Sequence, residues 1–523
     1  MKRNLLFILL LCTFLHHPKA QTGSNNYVKT SIPTVATTST TSFSVSNSIT
    51  SCQYFDDLGR PWQTVQVGMN PSQLDLVTYQ EYDAAGRNSA SWLPVNAASG
   101  NNGNPLSLST IQSRSSSLYG DSKAYSKPVY EASPLNRVLE QYGPGQNWHN
   151  NSKRVKTEYL INAASGELSC RWYRTTDTRD AIQISIQSGK VNYPANELYV
   201  TRATDEDGTG VSLEFKNKQG QVLLTRQKNG TDYHDTYYVY DSYGNLRAVL
   251  PPLAADALAI AGSWTQNAAS TDALSLYAYL YKYDDRNRCI WKKLPGAAGT
   301  VYAYDRADRM IASQDAEQAA KDSKLYNLYL YDYSNRLVLQ GTCEYTGSIC
   351  YLYSSTLVAS LLYSADGSIT GGIGGTGYSP NITINSPVVH TVNYYDDYRF
   401  RTLTGFNNAH FPAESHSGSG MLTGTVTTLL DGSGTKLYAA YYYDEKGRLE
   451  KTVASNHLGG YDTTTTVYTF TGKPQTMTHV HTATGKSTQT QVYTYTYDHA
   501  DRLKTITHKL NSQSAVTLVS NTY

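Results

Sequence analysis

Tyr443-Asp444-Glu445-Lys446-Gly447-Arg448-Leu449 is the stretch that decides how the rest of the chain is read. It has the form of a strand end, a tight turn and the start of the next strand. The pattern returns as Tyr82-Asp83-Ala84-Ala85-Gly86-Arg87 and as Tyr497-Asp498-His499-Ala500-Asp501-Arg502-Leu503. Asp can accept a hydrogen bond from a backbone N–H two residues on, which opens a turn. Three positions after it stands Gly, Asn or Asp, the residues that tolerate positive φ. A type I turn followed by a left-handed residue and a bulge asks for that arrangement. Arg then opens the outgoing strand, where it can pair with the Asp or lie over a Tyr ring.

Working outward, the first copy is Phe55-Asp56-Asp57-Leu58-Gly59-Arg60. Later copies are Tyr240-Asp241 with Gly244, Tyr283-Asp284 with Asn287-Arg288, Tyr304-Asp305 with Asp308-Arg309, and Tyr331-Asp332 with Asn335-Arg336. A blurred copy stands at Tyr395-Asp396, and Asn217 with Gln221 is a variant carrying Asn for Asp and Gln for Arg. From Asp241 to Asp498 the spacings are 43, 21, 27, 64, 48 and 54 residues, so the longer gaps are expected to hold eroded copies such as Phe470-Thr471-Gly472-Lys473-Pro474. Strands of about 7 residues on either side give hairpins roughly 20 Å tall. Side by side they make one antiparallel sheet, which right-handed twist coils, each repeat touching mainly its neighbours. The expected fold class is all-β: a coiled array of hairpins forming a partial β-shell after an N-terminal β-rich region.

Composition agrees with this. The 523 residues include 45 Tyr against 9 Phe, and Tyr suits a pleated, half-wet surface. With 44 Lys and Arg against 42 Asp and Glu, the net charge of +2 is no footprint for nucleic acid. Lys2 and Arg3, the apolar run Leu5 to Leu15, and Pro18-Lys19-Ala20 before Gln21 read as a signal peptide over residues 1–20. The run is short for a membrane span, and the mature chain is expected to be exported: secreted, periplasmic or at the cell surface. Residues 21–50 form a Ser/Thr-rich lead, an extended or disordered tether with one strand near its end. Residues 51–200 are the N-terminal β-rich region and 201–523 the repeat region. Asn96 to Ser117 and Tyr142 to His149 read as loops, and Ala254 to Ala261 and Asp315 to Lys324 as short helices. Cysteines are sparse for an exported chain. Cys343 and Cys350 could close a local hairpin loop or remain thiols.

The Tyr-Asp-x-x-Gly-Arg copies resemble the YD repeats of Rhs (rearrangement hot spot) proteins, with relatives in the C components of insecticidal toxin complexes and in teneurins. The exported lead, the Phe55 to Arg60 element and the segment from Asp205-Glu206-Asp207-Gly208 to Arg226 resemble the N-terminal part of Rhs-type proteins of Bacteroidetes. The resemblance covers roughly Cys52 to Tyr523. It implies a hollow β-shell completed by a downstream core segment and a variable C-terminal domain, often a toxin. Neither is recognisable here, and the chain stops at Ser520-Asn521-Thr522-Tyr523, about where another Tyr-Asp falls. The expectation is therefore a truncated product or a fragment, or a short split-chain shell partner.

Recurrence at every turn assigns a structural role to Asp56, Gly59, Arg60, Asp83, Gly86, Arg87, Asp241, Gly244, Asp284, Arg288, Asp305 and Arg309. The same holds for Asp332, Arg336, Asp444, Gly447, Arg448, Asp498 and Arg502. A catalytic carboxylate pair needs an environment that splits two pKa values, and no pair stands out. Gly372-Ile373-Gly374-Gly375-Thr376-Gly377 matches a dinucleotide fingerprint, but its flanks read as loop, not strand and helix. His479 and His481 share a strand face without an obvious third metal ligand. Asp205 to Gly210 lacks the closing Glu of a calcium loop and reads as a hairpin turn, as does Asn229-Gly230. No catalytic residue, cofactor or metal ligand is expected. The expected role is a non-enzymatic exported scaffold, part of an Rhs-type shell that encloses or presents a polypeptide cargo such as a toxin in interbacterial competition. The expected partners are that cargo or a downstream core segment, and surface glycans. The alternatives are a cell-surface adhesion or carbohydrate-binding protein and, third, an exported glycan hydrolase.

Overall fold

The structure is a computed structural model, and it describes residues 25–34, 44–177, 182–266, 273–344 and 357–521. The expected signal peptide and Cys350 lie outside these residues, as does much of the Ser/Thr-rich lead. Strands form where alternation is strict. In Leu325–Tyr331, Tyr326, Leu328 and Leu330 turn inward while their neighbours stay half-exposed. That period of two is the pleat itself.

Twenty-eight strands make one sheet. Its pairings are antiparallel, and each strand is bonded to the next member in chain order, from Asn26–Pro33 on Ser48–Phe55 to Leu503–Leu510 on Val516–Ser520. The order is kept across insertions: Val155–Ile161 pairs with Tyr199–Thr204, Leu246–Leu250 with Tyr279–Tyr283, and Leu337–Glu344 with Asn385–Asp396. At about 4.8 Å per strand such a sheet laid flat would run roughly 130 Å. It instead coils into a nearly closed shell. The expected all-β coiled array is what forms.

Three apolar cores line one face of the sheet, each capped by material inserted between strands. The first, around Cys52, Tyr54, Val65 and Trp92, is closed by Ile111 of the helix Leu108–Tyr119. The second is capped by the helix Pro252–Ala261 and by a small sheet of Tyr173–Asp177, Ile182–Ile186 and Ser263–Thr265. The third lies under Phe400, Phe406 and Phe411, with Tyr394 stacked on Phe400 at 5.0 Å. Beyond Val453 no hydrophobic side chain among the described residues is buried.

Two expected loops are partly helical. Leu108–Tyr119 begins inside the polar stretch and runs two residues past it, with Ser107 accepting from the Thr110 N–H and Gly120 closing the helix at φ 63°. Its Ser-rich composition disfavours a helix; burial of Ile111 and Ser115 against the sheet overrides that. Gln146–Asn150 is a single turn of helix. The Ala-rich insertions form helices as expected, at Pro252–Ala261 and Ala316–Ala320. In the lead, the strand Asn26–Pro33 falls near its start and a second, Ser48–Phe55, begins at its end, because the two pair with each other.

Candidate functional site

The recurring turn is a closed hydrogen-bonded unit. In Asp444 to Arg448, Asp444 Oδ1 accepts from the backbone N–H of Lys446 and of Arg448, both at 2.9 Å. Asp444 Oδ2 accepts from Arg448 Nε at 2.6 Å. The Asp444 N–H donates to the Arg448 carbonyl and the Gly447 N–H to the Asp444 carbonyl, while Gly447 sits at φ 73°. The strand pair slips by one residue between Tyr442 and Tyr443, the expected bulge. The same bonds recur at Asp56–Arg60, Asp83–Arg87, Asp284–Arg288, Asp305–Arg309, Asp332–Arg336 and Asp498–Arg502.

Each unit also grips the one after it. Arg60 lies over the Tyr82 ring at 4.4 Å, Arg288 over Tyr304 at 4.9 Å, Arg309 over Tyr331 at 4.9 Å and Arg448 over Tyr468 at 4.6 Å. The hydroxyl of that next Tyr donates back to the carbonyl just after the Arg: Tyr82 to Pro61 at 2.9 Å, Tyr331 to Met310 at 3.0 Å and Tyr468 to Leu449 at 2.8 Å. At Asn136, Asp308 and Asn335 the fourth-position side chain accepts from the previous Arg, as Asn335 Oδ1 does from Arg309 Nη1 at 2.9 Å. The motif thus needs Tyr for its ring and its hydroxyl together. Phe55 heads the first full copy, with no cassette Arg before it.

The departures are instructive. Glu131 and Arg137, six apart, rebuild the unit with Asn136 at φ 54° and Arg137 over Tyr159 at 4.1 Å; two extra residues hid this copy from the sequence reading. Thr469 takes the Asp place in the eroded copy, where Gly472 has φ 89°. Asp396 takes the fourth-position role: it has φ 75° and accepts both Arg336 Nη groups. In the unit of Asp241 the Arg place is Asn245, and Arg247 reaches Asp241 Oδ2 at 3.4 Å from two residues on. In the unit of Asn217, Gln221 takes the Arg place and donates to the Gly244 carbonyl at 3.1 Å.

Electrostatics follow the bonding. Hydrogen bonds from Arg137 push the Glu131 carboxyl down to about 2. The Arg60 N–H holds Asp56, and the Arg87 N–H holds Asp83, below the usual carboxylate range. Burial works to raise Asp305, whose side chain is enclosed, yet the bonds from Arg309 leave it low. Asp305 Oδ2 also accepts from the Leu357 N–H at 3.3 Å, tying the third core's cap to the ladder. Every one of these carboxylates is held as the anion by its own Arg, so none is a proton donor in waiting.

The other singled-out motifs resolve simply. Asp205 accepts from the N–H groups of Thr209 and Gly210, and Asp207 pairs with Lys153 at 2.8 Å, so these oxygens are occupied within a hairpin turn. Asn229-Gly230 joins Val222–Asn229 to Asp232–Tyr240, and Gly230 has φ 62°. The glycine run carries only a short 3-10 turn, Ile373–Gly375. His479 and His481 do share a face, and Asp462 on the preceding strand, Tyr461–Tyr468, faces both: His481 Nδ1 is 2.5 Å and His479 Nε2 3.8 Å from its Oδ1. Sequence spacing could not reveal Asp462, which arrives through strand register.

Beside the ladder opens a groove of about 1460 Å³. Trp172 and Tyr193, stacked at 4.7 Å and 16°, line it together with Tyr238 and Tyr240 of the main sheet. It is bordered by the units of Asn217, Asp241 and Asp284. Trp172 and Tyr193 were not singled out from the sequence, because they belong to its least regular stretch. Among the described residues no helix is long and apolar enough to cross a membrane.

Residues 29–161 match the family DUF6443, a domain of unknown function. No curated protein matches the chain. Solved structures with a similar chain course include TcdB2-TccC3 without its hypervariable C-terminal region, at 13% identity and TM-score 0.37, over 88% of this chain and 20% of that one. TcdB2-TccC3-Cdc42 matches at 12% identity and TM-score 0.36, over 94% and 27%. The Photorhabdus luminescens Tc holotoxin pore matches at 12% identity and TM-score 0.34, over 94% and 26%. The chain thus spans between 20% and 27% of the length of those chains.

Proposed function

We propose that the protein is an exported, non-enzymatic scaffold whose coiled sheet encloses or presents a polypeptide, as the resemblance to Rhs shells implies. The observation that carries this reading is the ladder. Its carboxylates and guanidiniums are consumed by one another, unit after unit, which leaves shape as the product of the repeated chemistry. A wide curved sheet rich in Tyr can hold an unfolded segment through many weak aromatic and hydrogen-bonding contacts. A polypeptide toxin and a role in competition between bacteria belong to the same proposal, as does the affinity with Bacteroidetes-type Rhs chains.

Electron microscopy of the chain from Gln21 to Tyr523 tests it. A curved, hollow particle is expected; a compact body without an internal cavity would sink the idea. A broad screen of glycan substrates is expected to show no turnover, and turnover would promote the hydrolase alternative.

A further inference from the structure

We infer that the groove beside the ladder is a binding site for a neutral, hydroxyl-rich chain of sugar type, a role beyond that of a scaffold. Two neighbouring units, Asn217 to Gln221 and Asp241 to Asn245, carry a side-chain amide where the Asp–Arg units carry Arg, and both border the groove. The exchange removes a fixed charge and supplies groups that donate and accept. Asn245 spends both Nδ2 hydrogens on Asp241 and Asn287, which leaves its Oδ1 for a ligand hydroxyl. Gln221 uses one hydrogen of Nε2 and one lone pair of Oε1, and keeps the others. Gln219, exposed at the turn tip, adds a third amide.

Several of the charges that remain are neutralised inside the ladder. Asp241 faces Arg247, Asp284 pairs with Arg288, and Arg286 is bound to Asp308 at 2.7 Å. Arg174, Lys282, Asp285 and Arg306 line the groove as well, so the charges along its wall are of both signs and present no block of one sign to an ionic ligand. Along the same groove, the Trp172–Tyr193 stack and the Tyr238 and Tyr240 rings offer apolar surface with polar edges, which suits the C–H faces and hydroxyl rims of a sugar. At about 1460 Å³ the groove exceeds the roughly 300–1,000 Å³ typical of single small ligands, so an oligomer fits it better than a monosaccharide.

The test uses calorimetry and Trp fluorescence with cellohexaose, laminarihexaose, xylohexaose and maltohexaose, against hexagalacturonic acid and a Gly-Ser peptide. At least one neutral hexasaccharide is expected to bind, and neither the acidic sugar nor the peptide. Trp172→Ala is expected to weaken binding about tenfold, the scale of one aromatic contact. Gln219→Ala, exposed and safe for folding, should weaken it measurably, while Phe470→Ala, remote from the groove, should not. A blank panel would overturn the proposal, as would tighter binding of the acidic sugar or the peptide. So would parental affinity in Gln219→Ala; should Trp172→Ala not fold, that variant alone decides.

Discussion

At the residue scale the ladder explains why this chain prefers Tyr to Phe so strongly. The ring receives the Arg of the previous unit, and the hydroxyl returns a hydrogen bond to that unit's carbonyl. Removing the hydroxyl leaves the ring contact and orphans a carbonyl. Tyr331→Phe should therefore lose about 1 kcal/mol, measured by urea unfolding, through the bond to Met310. Glu131 gives the ladder a pH signature. Its folded carboxyl titrates near 2, well below its ordinary value of 4.5, so the unfolded chain takes up the proton first as pH falls. The stability that Glu131 contributes is present above about pH 4.5 and is lost as pH falls through 2. Glu131→Gln should melt below the parent at neutral pH, and the two curves should converge by pH 2.

At the scale of the element, the hairpin turn depends on one left-handed residue. Gly447 has φ 73°, and a Cβ there meets only Met421, at 3.7 Å and beyond. The cost of a side chain is thus conformational, not steric crowding. Gly447→Ala should destabilise by about 1–2 kcal/mol, and Gly447→Asn by much less, as Asn136, Asn287 and Asn335 show in equivalent places. Much at this scale was legible in advance. Asp, Gly and Arg at fixed offsets specify a turn by local bonding, so the sequence carries it whole. The bond from Tyr to the previous unit was not legible, since its partner lies across a strand pair at a variable distance in sequence. The Glu131 copy escaped because two inserted residues break the offset without breaking the geometry. The helix Leu108–Tyr119 left a trace in Ser107 and Gly120, which its polar composition obscured.

For the whole molecule, the uneven distribution of cores matters most. Inserted segments cap the sheet at three cores, the last reaching Tyr461 through His410 and Phe411, and none of the groups that cap it belongs with the strands from Pro474–His481 to Val516–Ser520. Those strands hold together by ladder bonds and cross-strand pairs alone. Hydrogen exchange should therefore be faster in residues 474–521 than in residues 325–453, and uniform protection across both would contradict the role given to the caps. The caps themselves were the least legible part of the fold. Phe400, Phe406 and Phe411 interrupt the repeat and read as noise in it, although their mutual stacking builds the third core.

The turn unit has one more consequence, for how such a chain can be edited. Its Asp half and its Arg half are interchangeable between copies, because the bonds within a unit are the same from one to the next. Cutting out residues 285–305 would splice Tyr283-Asp284 onto Arg306-Ala307-Asp308-Arg309, which is again a complete cassette. A gene of this kind can gain or shed one hairpin at a time by recombination between its own copies, in frame and in register, with the seam falling where the two halves already match.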